Sequence, residues 1–124
     1  MRALVLLRVE GLALGAVSVW GFHLTGASWW LFAALALAPD LATAGYLAGP
    51  VVGAACYNAV HTYATPALLA AAAVALGPAA SGWTLPAACV WAAHVGFDRA
   101  LGYGLKLPEG FGHTHLGTVG RPAA

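Results

Sequence analysis

Long apolar runs separated by short polar turns organise the whole chain. Four such runs cover about residues 4–24, 29–47, 50–76 and 83–104, and each is close to the ~20 residues that a helix needs to cross a bilayer. The turns between them contain Gly, Pro, Ser and Thr, which interrupt helices. The runs are rich in Ala and Leu and lack the two-residue alternation of a membrane β-strand. The pattern therefore predicts four transmembrane helices.

Short turns also predict how these helices are arranged. Consecutive helices joined by a few residues must run antiparallel, so we expect an all-α, up-down-up-down bundle. Gly11 and Gly15 give the first helix a small face, and Gly45, Gly49 and Gly53 do the same around the second turn. Such faces allow helices to approach closely. Residues 1–104 then form one transmembrane domain, and residues 105–124 form a tail.

Composition agrees with a bilayer as the main solvent and partner of the chain. Of its 124 residues, 61% are hydrophobic and 7% are charged, whereas a soluble domain carries about 25% charged residues. The net charge of +1 without a clustered basic face argues against nucleic-acid binding. Arg8 and Glu10 interrupt the first run and no cleavage site follows, so we interpret that run as a retained helix rather than a signal peptide.

Basic residues predict the orientation in the membrane. Arg2 and Arg8 lie at the start of the chain, while Arg99, Lys106 and Arg121 lie at or after the end of the fourth segment. The three connecting turns contain neither Lys nor Arg. The positive-inside rule therefore places both termini in the cytoplasm, in agreement with an even number of spans. We expect a multi-pass membrane protein.

Ionisable residues inside the apolar segments are costly and mark candidate functional sites. At about 100° per residue, His94 and Asp98 share one face of the fourth helix, four residues apart. At a rise of about 1.5 Å per residue, the ionisable residues of all four segments fall at a similar depth. They are Glu10, Asp40, His61, His94 and Asp98. The sequence therefore predicts a polar layer in the cytoplasmic half of the bundle.

This layer contains the ligand types of a divalent-metal site in a helix bundle. The predicted ligands are His61, His94, Asp98 and Asp40, with zinc as one suitable ion, and Asp98, His94 and Glu10 are the predicted catalytic residues. An ion with an open coordination position would acidify a bound water for hydrolysis. The spacing matches no established metal motif, because the fourth helix offers only an HxxxD pair.

Residues around the layer suit a small anionic or lipid ligand. Arg99 and Lys106 lie at the cytoplasmic boundary, where they would attract an anionic group, and Asn58, Tyr103 and His115 would help to bind it. The tail would close the polar site. If the anionic group were a lipid phosphate, the protein would be a membrane hydrolase.

Two other interpretations stay open at this point. Chains of Asp, Glu and His residues relay protons in transporters, and a transporter with four short helices would need to form homo-oligomers. Alternatively, the polar groups only satisfy one another and fix the helix packing. In that structural interpretation Glu10 pairs with Arg99, Asp98 pairs with His94 or an arginine, and Asn58 pairs with His61. Arg99 and Lys106 then extend to the lipid head groups.

Five motifs along the chain carry a family resemblance. They are "LLRVEG", "WWLFAALALAPDLATAGYLAGP", "YNAVHTYATP", "AAHVGFDRALGYGLK" and "FGHTHLG". In this order they resemble a family of small bacterial integral membrane proteins, catalogued as domain of unknown function 4260, from about Leu4 to Gly120. The resemblance implies that the tail belongs to the unit, which favours His115 over His113 as a participant. It also implies a protein of the bacterial inner membrane, and it implies no activity.

Overall fold

The computed structural model of the chain describes residues 2–119 and is mostly helical. Arg121 and the end of the predicted tail lie outside these residues. Within them, the elements in chain order are α1 (Arg2–Leu24), α2 (Trp29–Leu35), the 3₁₀-helix η1 (Ala38–Ala48), α3 (Pro50–Val60), α4 (Ala64–Leu76), α5 (Pro78–Leu101), β1 (Lys106–Leu107), β2 (Gly110–Thr114) and β3 (Gly117–Thr118).

Several helices have the length and hydropathy of membrane spans. In the described part of the chain, Arg2–Leu24 and Trp29–Ala48 each meet both criteria, and α3 with α4 make a third span if this pair, bent by 41°, crosses as one. Helix α5 is 24 residues long but less apolar. Large apolar side chains point outward, such as Trp30 with 85% and Leu47 with 93% of their surface exposed. Lipid is the solvent that suits such a surface.

Two of the predicted helices are interrupted, each beside a proline. Helix α2 ends at Leu35 and η1 begins at Ala38, with Pro39 in its first turn. Helix α3 ends at Val60, and Pro66 lies in the first turn of α4. Proline lacks a backbone N–H and clashes with the preceding turn of a continuous helix. The sequence predicted unbroken helices over residues 29–47 and 50–76, so both breaks are departures from that prediction.

Side chains satisfy carbonyls that the second break leaves free. The Val60 carbonyl accepts a hydrogen bond from the Trp91 indole at 2.7 Å. The His61 carbonyl accepts one from the Arg99 guanidinium, also at 2.7 Å. An unsatisfied backbone group costs several kcal/mol in lipid, so breaks persist only where such partners exist. These two bonds also fix the α3–α4 junction against α5.

Helices α1 and α5 approach each other through glycine. Their contacts run in opposite directions along the two helices, since Arg8 near the start of α1 donates to the Ala100 carbonyl near the end of α5 at 2.8 Å. A Cβ atom added to Gly96 would lie 2.6 Å from the backbone nitrogen of Gly15 and 2.7 Å from the carbonyl oxygen of Gly11. The small face that the sequence placed on the first helix therefore packs directly on the backbone of α5.

The tail forms a three-stranded antiparallel sheet in the order β1-β2-β3, which corrects the all-α expectation. The strands pair Lys106 with Thr114 and His113 with Thr118. The side chain of Asn58 on α3 acts as a further strand partner. Its amide donates to the Lys106 carbonyl at 2.8 Å and its oxygen accepts from the Lys106 N–H at 2.6 Å. The sheet is thereby held on α3, beside the end of α5.

The glycine contact predicts a large difference between two substitutions on the same helix. We expect Gly96→Ala to destabilise the protein by roughly 1–3 kcal/mol, the usual cost of overpacking, because the new methyl would overlap the backbone of α1. Gly82→Ala is the matched control, since no atom beyond its own stretch of helix lies within 4 Å of its added methyl. Thermal unfolding in detergent measures both, and equal midpoints would contradict the α1–α5 contact.

Candidate metal centre

Four polar side chains from three helical elements meet inside the bundle. Asp40 lies in the first turn of η1, His61 follows the last residue of α3, and His94 and Asp98 are one turn apart on α5. One ligand atom from each lies within 4.8 Å of the others. These four residues, referred to below as the His–Asp cluster, are the ones that the sequence analysis named as metal ligands.

Five of the six distances between the ligand atoms of the cluster are close to the edge lengths of a coordination tetrahedron. Asp40 Oδ1 lies 3.2 Å from His61 Nε2 and 3.2 Å from His94 Nε2, and the two nitrogens are 3.2 Å apart. Asp98 Oδ2 lies 3.4 Å from His94 Nε2 and 3.7 Å from His61 Nε2. Zinc binds such atoms at about 2.0–2.1 Å, which gives a regular tetrahedron edges of about 3.3–3.4 Å. The cluster therefore has the dimensions of a site for one such ion.

Backbone carbonyls orient both imidazoles toward the centre. His61 Nδ1 lies 3.0 Å from the Tyr57 carbonyl oxygen, and His94 Nδ1 lies 2.7 Å from the Ala36 carbonyl oxygen. Because a carbonyl only accepts, each Nδ1 carries a proton, and a neutral ring then directs the lone pair of Nε2 into the cluster. Metal-ligating histidines are commonly held by an outer hydrogen bond of this kind.

The helix breaks make these carbonyls available. The Asp40 amide bonds to the residue three positions earlier, in the 3₁₀ manner, so the Ala36 carbonyl is free to accept from His94. The Tyr57 carbonyl lies in the last turn of α3, where it accepts from both the backbone N–H and the ring of His61. Local backbone geometry thus determines where the two rings point.

The arrangement of donor atoms suits a cation. Two imidazole lone pairs and two carboxylates lie 3.2–3.7 Å apart in five of the six pairs, and such groups repel one another strongly in a low-dielectric interior. A divalent ion balances both carboxylates and accepts all four lone pairs, whereas a proton is held by only one or two of them. Mixed nitrogen and oxygen ligands suit zinc or a similar transition metal, since magnesium and calcium prefer oxygen alone.

The cluster is closed on its histidine side and open on its aspartate side. The side chain of His61 is fully buried and that of His94 is 7% exposed, while those of Asp40 and Asp98 are 46% and 18% exposed. The Tyr57 ring stacks on His61 with centroids 3.6 Å apart, and its hydroxyl donates to Asp98 Oδ2 at 3.4 Å. A water molecule or a substrate would therefore reach an ion from the side of Asp40.

Two cavities border this open side, and both are lined by Asp40 and Asp98. The tail cavity, of about 330 Å³, is further lined by Thr43, Tyr57, Tyr103, Lys106, Phe111 and Val119. The groove cavity, of about 200 Å³, lies between α2 and α5 and is further lined by Phe32, Ala36, Leu37, Val90, His94 and Phe97. The first contains a cation and polar groups, whereas the second is mainly apolar.

Lys106 is a buried cation beside the cluster. The residue is 4% exposed, and its ammonium lies 4.9 Å from the ring centroid of Tyr57 and 3.8 Å from that of Phe111. Burial lowers the pKa of Lys106 from its ordinary value, against the opposing effect of Asp98 and Asp40. Among residues 2–119 the ammonium has no hydrogen-bond or ion-pair partner, so its donors are free for a ligand in the tail cavity.

The other predicted site residues lie outside the cluster. Glu10 is exposed on α1 and lines a separate cavity of about 220 Å³ with Arg99 and His115. Arg99 is 6% exposed, and its guanidinium donates to the carbonyls of His61 and Tyr103. Within the described chain no ion pair joins Glu10 to Arg99, because all ion pairs lie in the cluster. Arg99 is thus engaged with the backbone.

Three predicted ligand-binding residues contact the tail or the tail cavity. Asn58 binds the backbone of Lys106, as described above, and His115 Nδ1 accepts from the Leu105 N–H at 2.8 Å. Tyr103 lines the tail cavity. Sequence reasoning gave no role to Tyr57, although its position four residues before His61 is a signal that their rings lie on one face of a helix.

Comparison with known proteins gives a family without an activity. A family model described as domain of unknown function (DUF4260) matches residues 4–119. No curated protein and no solved structure matches the chain. The resemblance drawn from the sequence motifs is confirmed, and the match includes the His–Asp cluster and the tail sheet.

The double hydrogen bond of Asn58 predicts that this residue holds the tail in place. We expect Asn58→Ala to leave the buried backbone of Lys106 without partners, at a cost of about 1–3 kcal/mol. Hydrogen exchange of the Lys106 amide should then accelerate roughly tenfold or more. Val52→Ala, at an exposed position of the same helix, should leave that exchange rate unchanged. Equal rates in both variants would show that the tail docks by other contacts.

Proposed function

We propose that this chain, which belongs to the family described as domain of unknown function (DUF4260), is a membrane protein that binds a divalent transition-metal ion and uses it for hydrolysis. The observation that carries the proposal is the close spacing of four ligand atoms, all within 4.8 Å of one another, with both imidazoles oriented by backbone carbonyls. Zinc suits these ligands and this geometry.

Each cluster residue has a defined part in the proposed reaction. His61, His94 and Asp98 would hold the ion from the buried side. A bound divalent ion would lower the pKa of a water ligand to about 7 and so supply a nucleophile for hydrolysis. Asp40, the most exposed ligand, would accept the proton of this water as its oxygen bonds to the electrophilic centre of the substrate. It would return that proton to the leaving oxygen when the bond between that oxygen and the substrate breaks.

Several sequence-based assignments change in this proposal. His94 and Asp98, predicted both as metal ligands and as catalytic residues, act as metal ligands only. Glu10 has no part in the reaction, because it lines a different cavity from the one beside Asp40. Arg99 is a positioning residue that holds the carbonyl of His61. Lys106 is left as the cation that meets an anionic ligand.

For the topology, we propose four antiparallel spans with both termini in the cytoplasm of a bacterial inner membrane. In this arrangement α2 with η1 forms the second span, α3 with α4 the third, and α5 the fourth. Basic residues at the start of α1 and at the end of α5, together with turns that lack them, support it. The opposite directions of α1 and α5 agree with it. The cluster then lies in the cytoplasmic half, below the tail sheet.

Metal analysis of the detergent-purified protein tests the ion. We expect a stoichiometric transition metal in the wild type and its loss in His61→Ala and in His94→Ala. The decrease in affinity should be at least the 10–100-fold that removal of an outer-shell partner typically causes. His113→Ala, at an exposed position of β2, is the matched control and should keep the metal. Absence of metal in the wild type, with thermal stability unchanged by chelator or added zinc, would refute the metal site.

Asp40→Asn separates metal binding from turnover. We expect the variant to keep the ion on its three remaining ligands and to hydrolyse p-nitrophenyl phosphate roughly 10²–10⁴-fold more slowly, since it has lost the base. Glu109→Gln removes an exposed carboxylate in the turn between β1 and β2 and should leave the rate unchanged. If metal-loaded wild type shows no hydrolysis but carries a proton flux in proteoliposomes, the relay interpretation replaces this one.

A further inference from the structure

The two cavities beside the His–Asp cluster differ in chemistry and meet at the same two carboxylates. The tail cavity contains the ammonium of Lys106 and two tyrosines, whereas the groove cavity is lined mainly by aromatic and aliphatic side chains. A ligand that occupies both while contacting the cluster must be polar at one end and apolar at the other. The pair of cavities therefore describes an amphipathic ligand.

Charge balance indicates the sign of the polar end. A divalent ion is balanced by the carboxylates of Asp40 and Asp98, since both imidazoles are neutral ligands. The charges of Asp40 and Asp98, the carboxylates that act on the ammonium of Lys106, would then be balanced by the ion, and the ammonium lies over the rings of Tyr57 and Phe111. An anionic group in the tail cavity would supply a counter-charge and would accept hydrogen bonds from the ammonium. Phosphate offers several acceptor oxygens, and Lys106 lines the same cavity as Asp40 and Asp98.

The position of the groove cavity indicates the apolar end. It is lined by Phe32 and Leu37 of the candidate span Trp29–Ala48 and by Val90 and Phe97 of α5. Leu37 is 71% exposed at the surface that faces lipid in the proposed topology. A lipid chain can therefore enter the groove sideways from the bilayer. A water-soluble ester would leave this aromatic lining unused.

We infer that the substrate of the site is a membrane lipid with a phosphate head group, bound with the phosphate against Lys106 in the tail cavity and an acyl chain in the groove cavity. The inference rests on the proposed metal-dependent function for the chemistry, but the binding of the lipid depends on different residues. Lys106 and Leu37 are not metal ligands, so lipid binding and metal binding can be changed separately.

The structure also supplies a control for the groove. A larger cavity of about 470 Å³ lies on the other flank of η1, where Leu41 and Trp91 line it and none of its lining residues is ionisable. Leu41 is 77% exposed, similar to Leu37, and it does not line the groove cavity. A tryptophan at position 37 would fill the groove beside the cluster, whereas a tryptophan at position 41 would not.

Phosphatidic acid in phosphatidylcholine nanodiscs is the probe for the test, and its retention by the purified protein is measured by native mass spectrometry. Zinc content is measured on the same samples. We expect Lys106→Met to lower retention roughly tenfold or more, as for loss of a charge-assisted hydrogen bond, and Lys106→Arg to restore most of it. Leu37→Trp should lower retention to a similar extent, and Leu41→Trp should leave it at the wild-type level.

A competition experiment with a soluble phosphate ester distinguishes a lipid ligand from a free phosphate ester. Glycerol 3-phosphate offers the same anionic group without the chains, and we expect it to displace phosphatidic acid only at a large excess. Equally effective displacement would overturn the groove as a chain site. Unchanged retention in both Lys106→Met and Leu37→Trp would overturn the whole inference.

The zinc measurement distinguishes this inference from the proposed function. If the wild type retains phosphatidic acid in the predicted pattern but holds no metal, the lipid site stands and the metal-dependent hydrolysis fails. If metal is present and no variant alters lipid retention, the metal site stands and the lipid assignment fails. Should Lys106→Met fail to fold, Leu37→Trp against Leu41→Trp still decides the outcome.

Discussion

In lipid every backbone carbonyl needs a donor, and the rest of this structure depends on how two broken helices meet that need. The break before η1 frees the Ala36 carbonyl, which accepts from His94. The break after α3 frees the His61 carbonyl, which accepts from Arg99. Where the backbone is buried against lipid, water cannot replace these donors. The hydrogen bonds that make the irregular backbone tolerable are therefore the same bonds that aim or support the side chains of the cluster.

Because these hydrogen bonds serve both the backbone and the cluster, the geometry of the site depends on how the helices pack. Helix α5 contributes His94, Asp98 and Arg99, and its position is fixed by the glycine contact with α1 at Gly96. A displacement of α5 would separate the two imidazoles and also leave the carbonyl of His61 without its donor. Burial of the two histidines also stabilises the site, since it excludes water and strengthens the attraction between an ion and its carboxylates. The exposed side, at Asp40, is where a water molecule or a substrate would enter and leave.

Helix geometry was sufficient to predict from the sequence which residues form the His–Asp cluster. Depth and rotation along a helix brought Asp40, His61, His94 and Asp98 together, but depth alone was used for Glu10, and its side chain lies on another face of the bundle. The helix breaks were missed because the segments were marked by their apolar runs alone, although Pro39 and Pro66 lie inside them, where proline ends or kinks a helix. The tail sheet was missed because its strands are too short to show alternation. It depends on Asn58, far away in sequence.

Arg99 and Lys106 show why a pattern of charge does not reveal which cation meets a ligand. Both lie at the predicted membrane boundary, and both are almost fully buried. The guanidinium of Arg99 is occupied by two carbonyls, whereas the ammonium of Lys106 is covered only by aromatic faces. Aromatic faces stabilise a cation without removing its capacity to donate hydrogen bonds. The cation with weaker internal partners is therefore the one free to bind an anion next to the His–Asp cluster.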